Sequence, residues 1–470
     1  MTSHAQTSLP RLRAPAPRFV VLALTIPVAL VLAWLVAVNP LLGIGALLVG
    51  ASAIGFVRSG TFAVSAFLAT AYFEMIGAYT GVALSPIKLA GGGLVLAAML
   101  ALLQPGSSGR RLRDGIAWRQ HTVLFVSLLG FTAWAAMSYV WASNTYQVQT
   151  ISLRLSTDAA VFFAVGIFLQ RREQLRVICW AAFFAAVLST LLGIVLHTQY
   201  FERFIGGFDD PNDYAAAMVP AIALAYMLFE TSRSRLKKLV LISGIGLCAY
   251  GIVASESRGG LLALVAVLVS IVLTARGRDR LKLGGFLAMF VAVGVLLLAA
   301  TPSGARLTTK VTHGDSSGRT DLWHVALNMV RAHPVTGVGL GNYPAVSRHY
   351  LDSTVVHAEL FTQFPRVVHD TPLEILAELG LIGALLYYTF VGSALLIAWR
   401  GLHQARRLRD GELVSLGRGI LAAEFAALSA CVFLSGQYAE VLWVLLGVGV
   451  AYGTIATRAG RAQSPPHSPI

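Results

Sequence analysis

The sequence predicts an all-α polytopic membrane protein of about 12–14 transmembrane helices, with one large extracytoplasmic loop that contains short amphipathic helices. Three observations carry that expectation. Of 470 residues, 56% are hydrophobic and only 12% charged, about half the charge that coats a soluble globular chain, and the mean hydropathy is +0.71. The apolar residues gather in long runs without a two-residue alternation, which fits membrane helices and not a strand barrel. Between the runs, Lys and Arg are distributed with a strong bias to alternate connections. A soluble enzyme, a secreted disulfide scaffold and a disordered chain are all excluded.

Taken in order, the candidate spans are 19–38, 41–57, 62–83, 88–103, 121–142, 155–170, 177–197, 213–230, 238–255, 259–275, 283–300, 371–398, 418–435 and 440–457. The apolar run that follows the basic N-terminus is too long for a signal-peptide core, so the first span is expected to stay as an anchor. With the N-terminus in the cytoplasm and one crossing per span, 26 of the 36 basic residues fall inside. That bias accounts for most of the net charge of +14, so no nucleic-acid partner is needed. The resulting layout is a cytoplasmic tail at 1–18, helices over 19–300, an extracytoplasmic (periplasmic) loop at 301–370, C-terminal helices over 371–457 and a cytoplasmic tail at 458–470. Cys179, Cys248 and Cys431 lie in apolar runs with no paired spacing, and imply neither a disulfide nor a metal site.

The outer segment holds six of the eleven histidines. Residues 315–333 read as an amphipathic helix with Leu322, Trp323, Ala326, Met329 and Val330 on one stripe, expected to press into the lipid interface at Trp323 or to cap the bundle. The glycine-rich PVTGVGLGNYPAV lacks the strand and full spacing of a nucleotide fingerprint, and reads as a tight turn into a second short helix at 343–352. Thr371-Pro372-Leu373-Glu374 has the form of a capping box with Thr371 as N-cap, and Asp210-Pro211-Asn212-Asp213 repeats the grammar at an earlier outer helix start. Glu74 is the main acidic residue deep in a span.

Chemistry concentrates on this outer face. Arg258 opens a helix, where a cation opposes the macrodipole unless an anion such as Glu256 or a phosphate lies near. Arg319 is a second candidate anion holder, with Arg203, Arg348 and Arg366 in reserve. His369 precedes a helix start, whose positive dipole end disfavours imidazolium and favours a neutral base. Asp370 beside it orients the ring or faces water. Phosphate-holding arginines and one neutral base suit group transfer from a lipid diphosphate, whose leaving group needs no metal. No metal-ligand spacing occurs, and no cofactor is expected.

Four stretches, GGFDDPNDYAA, SESRGGLLAL, SGRTDLWHVALNMVRAHPVTGVGLGNY and HDTPLEILAELGLIGALLYY, together spanning about 206–388, resemble the O-antigen ligase and polymerase superfamily of bacterial envelope glycosyltransferases. The resemblance implies a helical enzyme of the bacterial inner membrane with a large periplasmic loop. It would transfer a glycan from undecaprenyl diphosphate to an acceptor sugar hydroxyl without metal, its partners being that donor, a glycan or lipid A-core acceptor, and membrane lipids. Residue by residue it implies Arg258 and Arg319 as diphosphate holders and His369 as the base, with Asp370, Asp210, Asn212, Arg203 and Arg366 as supporting positions. Where the family commonly has Asn after the histidine, this chain has Asp370. Ligase is the first reading and polymerase the alternative, with a lipid-linked oligosaccharide transporter as the alternative of another class.

Overall fold

The computed structural model describes residues 60–74, 86–103, 121–274, 318–362 and 366–463, with positions 55, 58, 59, 284, 285 and 292 alone beside them. The expected spans 19–38, 41–57 and 283–300 lie outside the described residues, apart from isolated positions. Gly60–Ile470 forms one compact unit.

Fourteen α-helices are described: α1 (Gly60–Thr70), α2 (Pro86–Leu103), α3 (Thr122–Met137), α4 (Thr145–Phe168), α5 (Arg172–Leu196), α6 (Pro211–Thr231), α7 (Arg235–Ala254), α8 (Arg258–Thr274), α9 (Arg319–Ala332), α10 (Tyr343–Val346), α11 (Glu359–Thr362), α12 (Thr371–Arg407), α13 (Gly411–Cys431) and α14 (Glu440–Gln463). A two-residue hairpin, β1 (Gln199–Tyr200) with β2 (Arg203–Phe204), is antiparallel with Tyr200 opposite Arg203. Eight helices are long and apolar enough to cross a membrane, and three shorter apolar ones accompany them among the described residues. The protein is an all-α polytopic membrane protein.

The bundle centre is set by burial. In α14, 83% of the span is buried, against 39% in the α3 span, so α14 runs through the middle and α3 faces outward. Small residues allow the close contacts that packing without a hydrophobic driving force requires. Gly401 of α12 meets Gly453 of α14 so tightly that a Cβ would come within 2.7 Å of the facing Cα.

The two ends of the bundle differ in charge. At one end Arg172 pairs with Asp410 at 3.1 Å, Arg176 with Glu412, Arg418 with Glu230 at 3.5 Å, and Arg458 donates to Gln170. The helix starts of α4, α12 and α14 gather at the opposite end. There Arg154 pairs with Glu440 at 3.0 Å, Asn144 N–H donates to Asn342 Oδ1, and Thr371 Oγ1 donates to the Leu434 carbonyl.

Several expectations change in detail. The span expected at 155–170 begins at Thr145, capped by Asn144, whose side chain accepts from Gln147 N–H at 3.2 Å. Arg154 and Asp158 interrupt the apolar run but not the helix: Arg154 pairs with Glu440 and Asp158 is buried. The stripe of α9 packs on protein, not on lipid. Leu322, Val325, Ala326 and Met329 are buried with Tyr343, Val346, Phe361, Val368 and Ala377, and Trp323 sits against that cluster. The expected second helix 343–352 is a single α turn at α10 followed by a 3-10 turn at Ser347–Tyr350. Glu74 lies in the turn after α1. Among the described residues the acids buried deep in spans include Asp158 and Glu424, the latter wholly buried in α13 with neither carboxyl oxygen bonded. Both are single charges that hydropathy averaging conceals.

Candidate functional site

The polar end is built by four helix starts and a clamp. Asp210 has the expected role: extended backbone places its carboxylate to accept from Asn212 N–H at 2.6 Å, and Pro211 opens α6. Ser257 Oγ accepts from Gly260 N–H at 3.2 Å, which starts α8 with Arg258 as its first residue. Arg319 is likewise the first residue of α9, after Gly318. The fourth start departs from expectation. Asp370, not Thr371, caps α12, accepting from Leu373 N–H at 2.8 Å. Thr371 Oγ1 instead donates to Leu434, and Glu374 does not reach back to the cap. It is buried and accepts from Ser435 Oγ and from Gln437 Nε2, fixing the α13–α14 connection beneath the site.

That cap explains the acidic residue after His369. Asn and Asp cap helices about equally well, and alanine costs about 1 kcal/mol. Asp370→Asn is therefore expected to leave thermal stability in detergent unchanged, and Asp370→Ala to lower it by about 1 kcal/mol. Equal melting of wild type and Asp370→Ala would remove the capping role.

Arg203 ties three sequence stretches together. Its Nε donates to the Ser255 carbonyl at 2.8 Å and its Nη2 to Asn212 Oδ1 at 3.0 Å, so the hairpin, the SESR turn and the DDPND cap share one guanidinium. Arg258 and Arg319 lie within electrostatic range of it and of each other, and Asp210 is the nearby anion acting on both Arg203 and Arg319. Burial first, then the neighbouring guanidinium groups, hold Arg203 and Arg319 below the usual arginine range. Among the described residues Arg319 has no carboxylate within salt-bridge distance. Guanidinium groups within electrostatic range of one another are chemically suited to an anion with several oxygens.

His369 stands next to this cluster. Its backbone is left-handed, φ 55°, a conformation that few non-glycine residues adopt, and its N–H donates to Ser435 Oγ at 3.2 Å. Its ring lines a cavity of about 420 Å³ and makes no hydrogen bond to a described residue. Burial, then repulsion from Arg319 and Arg366, with Asp210 opposing, push the imidazole down to about 4. It is neutral at physiological pH and able to accept a proton.

The structure thus brings Arg203, Arg258, Arg319, Arg366, Asp210, Asn212, His369 and Asp370 to one end of the bundle. Arg348 goes elsewhere: it lines a separate open groove of about 560 Å³ with Tyr146 and His349. Arg154, Asp213, Ser435 and Tyr438 line the cavity but were not among the sequence candidates for the site, Asp213 being read only within a helix-cap pattern. Arg154 and Asp213 come from inside α4 and α6, while Ser435 and Tyr438 come from the α13–α14 connection. The polar SGQY between two apolar runs was the available signal for the last two. Glu378 was also missed. Its carboxylate accepts from Gly341 N–H at 2.7 Å and Tyr343 N–H at 3.0 Å, so the glycine-rich turn is clamped onto α12.

The bundle thus sets His369 on a cavity, with Arg319 and Arg366 within electrostatic range of its ring. Residues 243–388 match the family model described as O-antigen ligase. The match contains Arg258, Arg319 and His369. No curated protein matches the chain.

Proposed function

We propose that the protein transfers a glycan from undecaprenyl diphosphate to an acceptor sugar hydroxyl, acting first as an O-antigen ligase on lipid A-core. The observation that carries this reading is the neutral ring of His369, facing a cavity beside a cluster of mutually repelling guanidinium groups. Arg258 and Arg319 hold the diphosphate and stabilise the charge that grows on it as the bond from sugar C1 to phosphate oxygen breaks. His369 takes the proton from the acceptor hydroxyl, whose oxygen forms the new bond to C1. The diphosphate leaves with the electron pair and stays on the lipid. Arg203 and Asn212 position the cluster, and Arg366 and Asp210 set its field.

The positive-inside rule places the Arg172/Arg418/Arg458 end in the cytoplasm. The site then faces the periplasm, with residues 301–370 as its loop, both termini inside, and the inner membrane as the location. A polymerase reading uses the same chemistry with a second lipid-linked glycan as acceptor. A transporter reading draws on Asp158 and Glu424, since intramembrane acids mark transport paths in many membrane proteins.

The test is transfer by the purified chain from a lipid-diphosphate glycan, with lipid A-core in one reaction and only more donor in another. Product on the core supports ligase and a ladder on the donor supports polymerase. Vectorial movement without new bonds would replace both with transport. Arg258→Ala is expected to abolish detectable transfer. Arg319→Lys, which keeps the charge but loses the planar fork, is expected to lower kcat/KM by about 10- to 100-fold, the worth of a charge-assisted hydrogen bond. Wild-type kcat/KM in Arg319→Lys would mean simple charge neutralisation there.

A further inference from the structure

Helix α9 opens on Arg319 with no side chain capping it: Gly318 occupies the cap position, at φ 72°. The first N–H groups of a helix have no partner within it, so an uncapped first turn needs holding from outside. Here the hold comes from the connection that precedes α11. Asp321, in the first turn, is buried, and its Oδ2 accepts from the His357 N–H and from His357 Nδ1, both at 2.8 Å. Leu360 closes on the same turn, where a Cβ on Gly318 would collide with its Cδ1. Phe361 and Val368 then pack with Leu322 and Val325 of α9. The connection clasps the helix around Arg319, and the same chain goes on to His369.

The pair does not act on the site directly. Side chains two apart on a helix do not face each other, and Asp321 is not within salt-bridge distance of Arg319; its carboxylate is taken up by His357. Neither Asp321 nor His357 lines the His369 cavity. What the pair controls is where the first turn of α9 stands. An arginine fork depends on that placement, because its planar donors meet phosphate oxygens two at a time and a shift of about 1 Å can cost much of the benefit.

We infer that Asp321 and His357 are positioning residues for Arg319, their hydrogen bond fixing the first turn of α9 so that the guanidinium meets the donor diphosphate in a set orientation. The inference rests on the transfer reading above and adds to it two residues that stand outside the cavity.

The experiment uses the purified full chain and reads two quantities: kcat/KM for the lipid-diphosphate donor, and the Kd of undecaprenyl diphosphate. His357→Ala removes the Nδ1 donor and leaves the backbone bond, and is expected to lower kcat/KM and raise Kd, each about 5- to 10-fold. His357→Asn, whose Nδ2 stands where Nδ1 stood, should return both to within about twofold of wild type. Asn328→Ala is the control. Asn328 Nδ2 ties the same connection to α9 through Asp352 at 2.8 Å, about two turns beyond Asp321, and its loss should change neither quantity. In an Arg319→Lys background His357→Ala should cost less than about twofold, because a point charge on a flexible stem needs no set orientation.

Wild-type values in His357→Ala would overturn the inference, as would equal losses in His357→Ala and His357→Asn. A matching loss in Asn328→Ala, or losses that multiply with Arg319→Lys, would also overturn it, in favour of a tie that only steadies the loop. If wild type binds undecaprenyl diphosphate but transfers no glycan, the transfer reading fails and the Kd series alone decides the tie. If wild type binds none, Arg319 holds no diphosphate and the inference falls.

Discussion

Replacing His369 by alanine is expected to lower turnover by about 10²- to 10⁴-fold, the usual contribution of a positioned general base. Membrane insertion should survive, because the ring bonds to no described residue and only the backbone N–H is used, by Ser435. The left-handed backbone at φ 55° argues for a second variant. Asn tolerates that conformation better than most residues, so His369→Asn removes the base with the least disturbance to the turn. Both variants should lose transfer equally per inserted molecule, and normal surface polysaccharide from either would remove His369 from the chemistry. The pH profile gives an independent reading. In the free chain the imidazole is pushed down to about 4, by burial first and then by Arg319 and Arg366. Protonation is therefore confined to acid, and kcat/KM should hold level from pH 8 down to about 5 and fall only near 4. A bound diphosphate neutralises the arginines and lifts part of that repulsion, so the imidazole of the complex titrates at higher pH. The acid limb of kcat should then lie above that of kcat/KM. The opposite order would mean that the arginines do not hold the donor.

The parts of this site that obey local rules were legible in the sequence, and the parts that depend on long-range contacts were not. Asp210 and Pro211 announce a helix start by residue type alone, and the structure has that start. At Asp370-Thr371-Pro372 two cap residues stand side by side, and proline is acceptable one place later, so local grammar cannot choose. The contact of Thr371 with Leu434, 63 residues away, decides it for Asp370. Periodicity found the apolar stripe of α9 but not its partner, because a hydrophobic face reads the same against lipid or against Tyr343 and Phe361. Hydropathy starts α4 too late since Arg154 breaks the run, and Arg154 lines the His369 cavity. The basic bias gives only an expected orientation and says nothing of Arg203, whose two hydrogen bonds to Ser255 and Asn212 join elements 52 and 9 residues away.

The least legible feature is also the most sensitive one. Residues 371–398 read as one continuous span, but α12 breaks at Gly380, whose φ of 64° and ψ of −167° lie in a region essentially reserved for glycine. The break opens the helix ladder to the glycine-rich turn. Leu381 N–H donates to Pro334 O at 2.9 Å, Val338 N–H to Ala377 O at 3.0 Å and Gly339 N–H to Glu378 O at 2.8 Å, while the Glu378 carboxylate holds Gly341 and Tyr343. That turn comes directly after α9, so the kink fixes where α9, and with it Arg319, stands relative to His369. Gly380→Ala would force a residue with a side chain into the strained conformation, at about 1–3 kcal/mol. Its Cβ would also lie 2.2 Å from the Val335 carbonyl oxygen, a contact that only backbone movement relieves. The variant is expected to melt well below wild type in detergent and to lose transfer, because straightening α12 expels the turn. Gly392→Ala in the same helix is the control: a Cβ there meets nothing within 4 Å, and alanine is favoured over glycine in a helix interior by about 0.5–1 kcal/mol. It should melt at or above wild type with full activity. If Gly380→Ala melts and transfers like Gly392→Ala, then α12 can run straight through and the turn does not depend on it. A loss confined to Gly380→Ala means that one glycine joins the fold of the loop to the placement of its arginine.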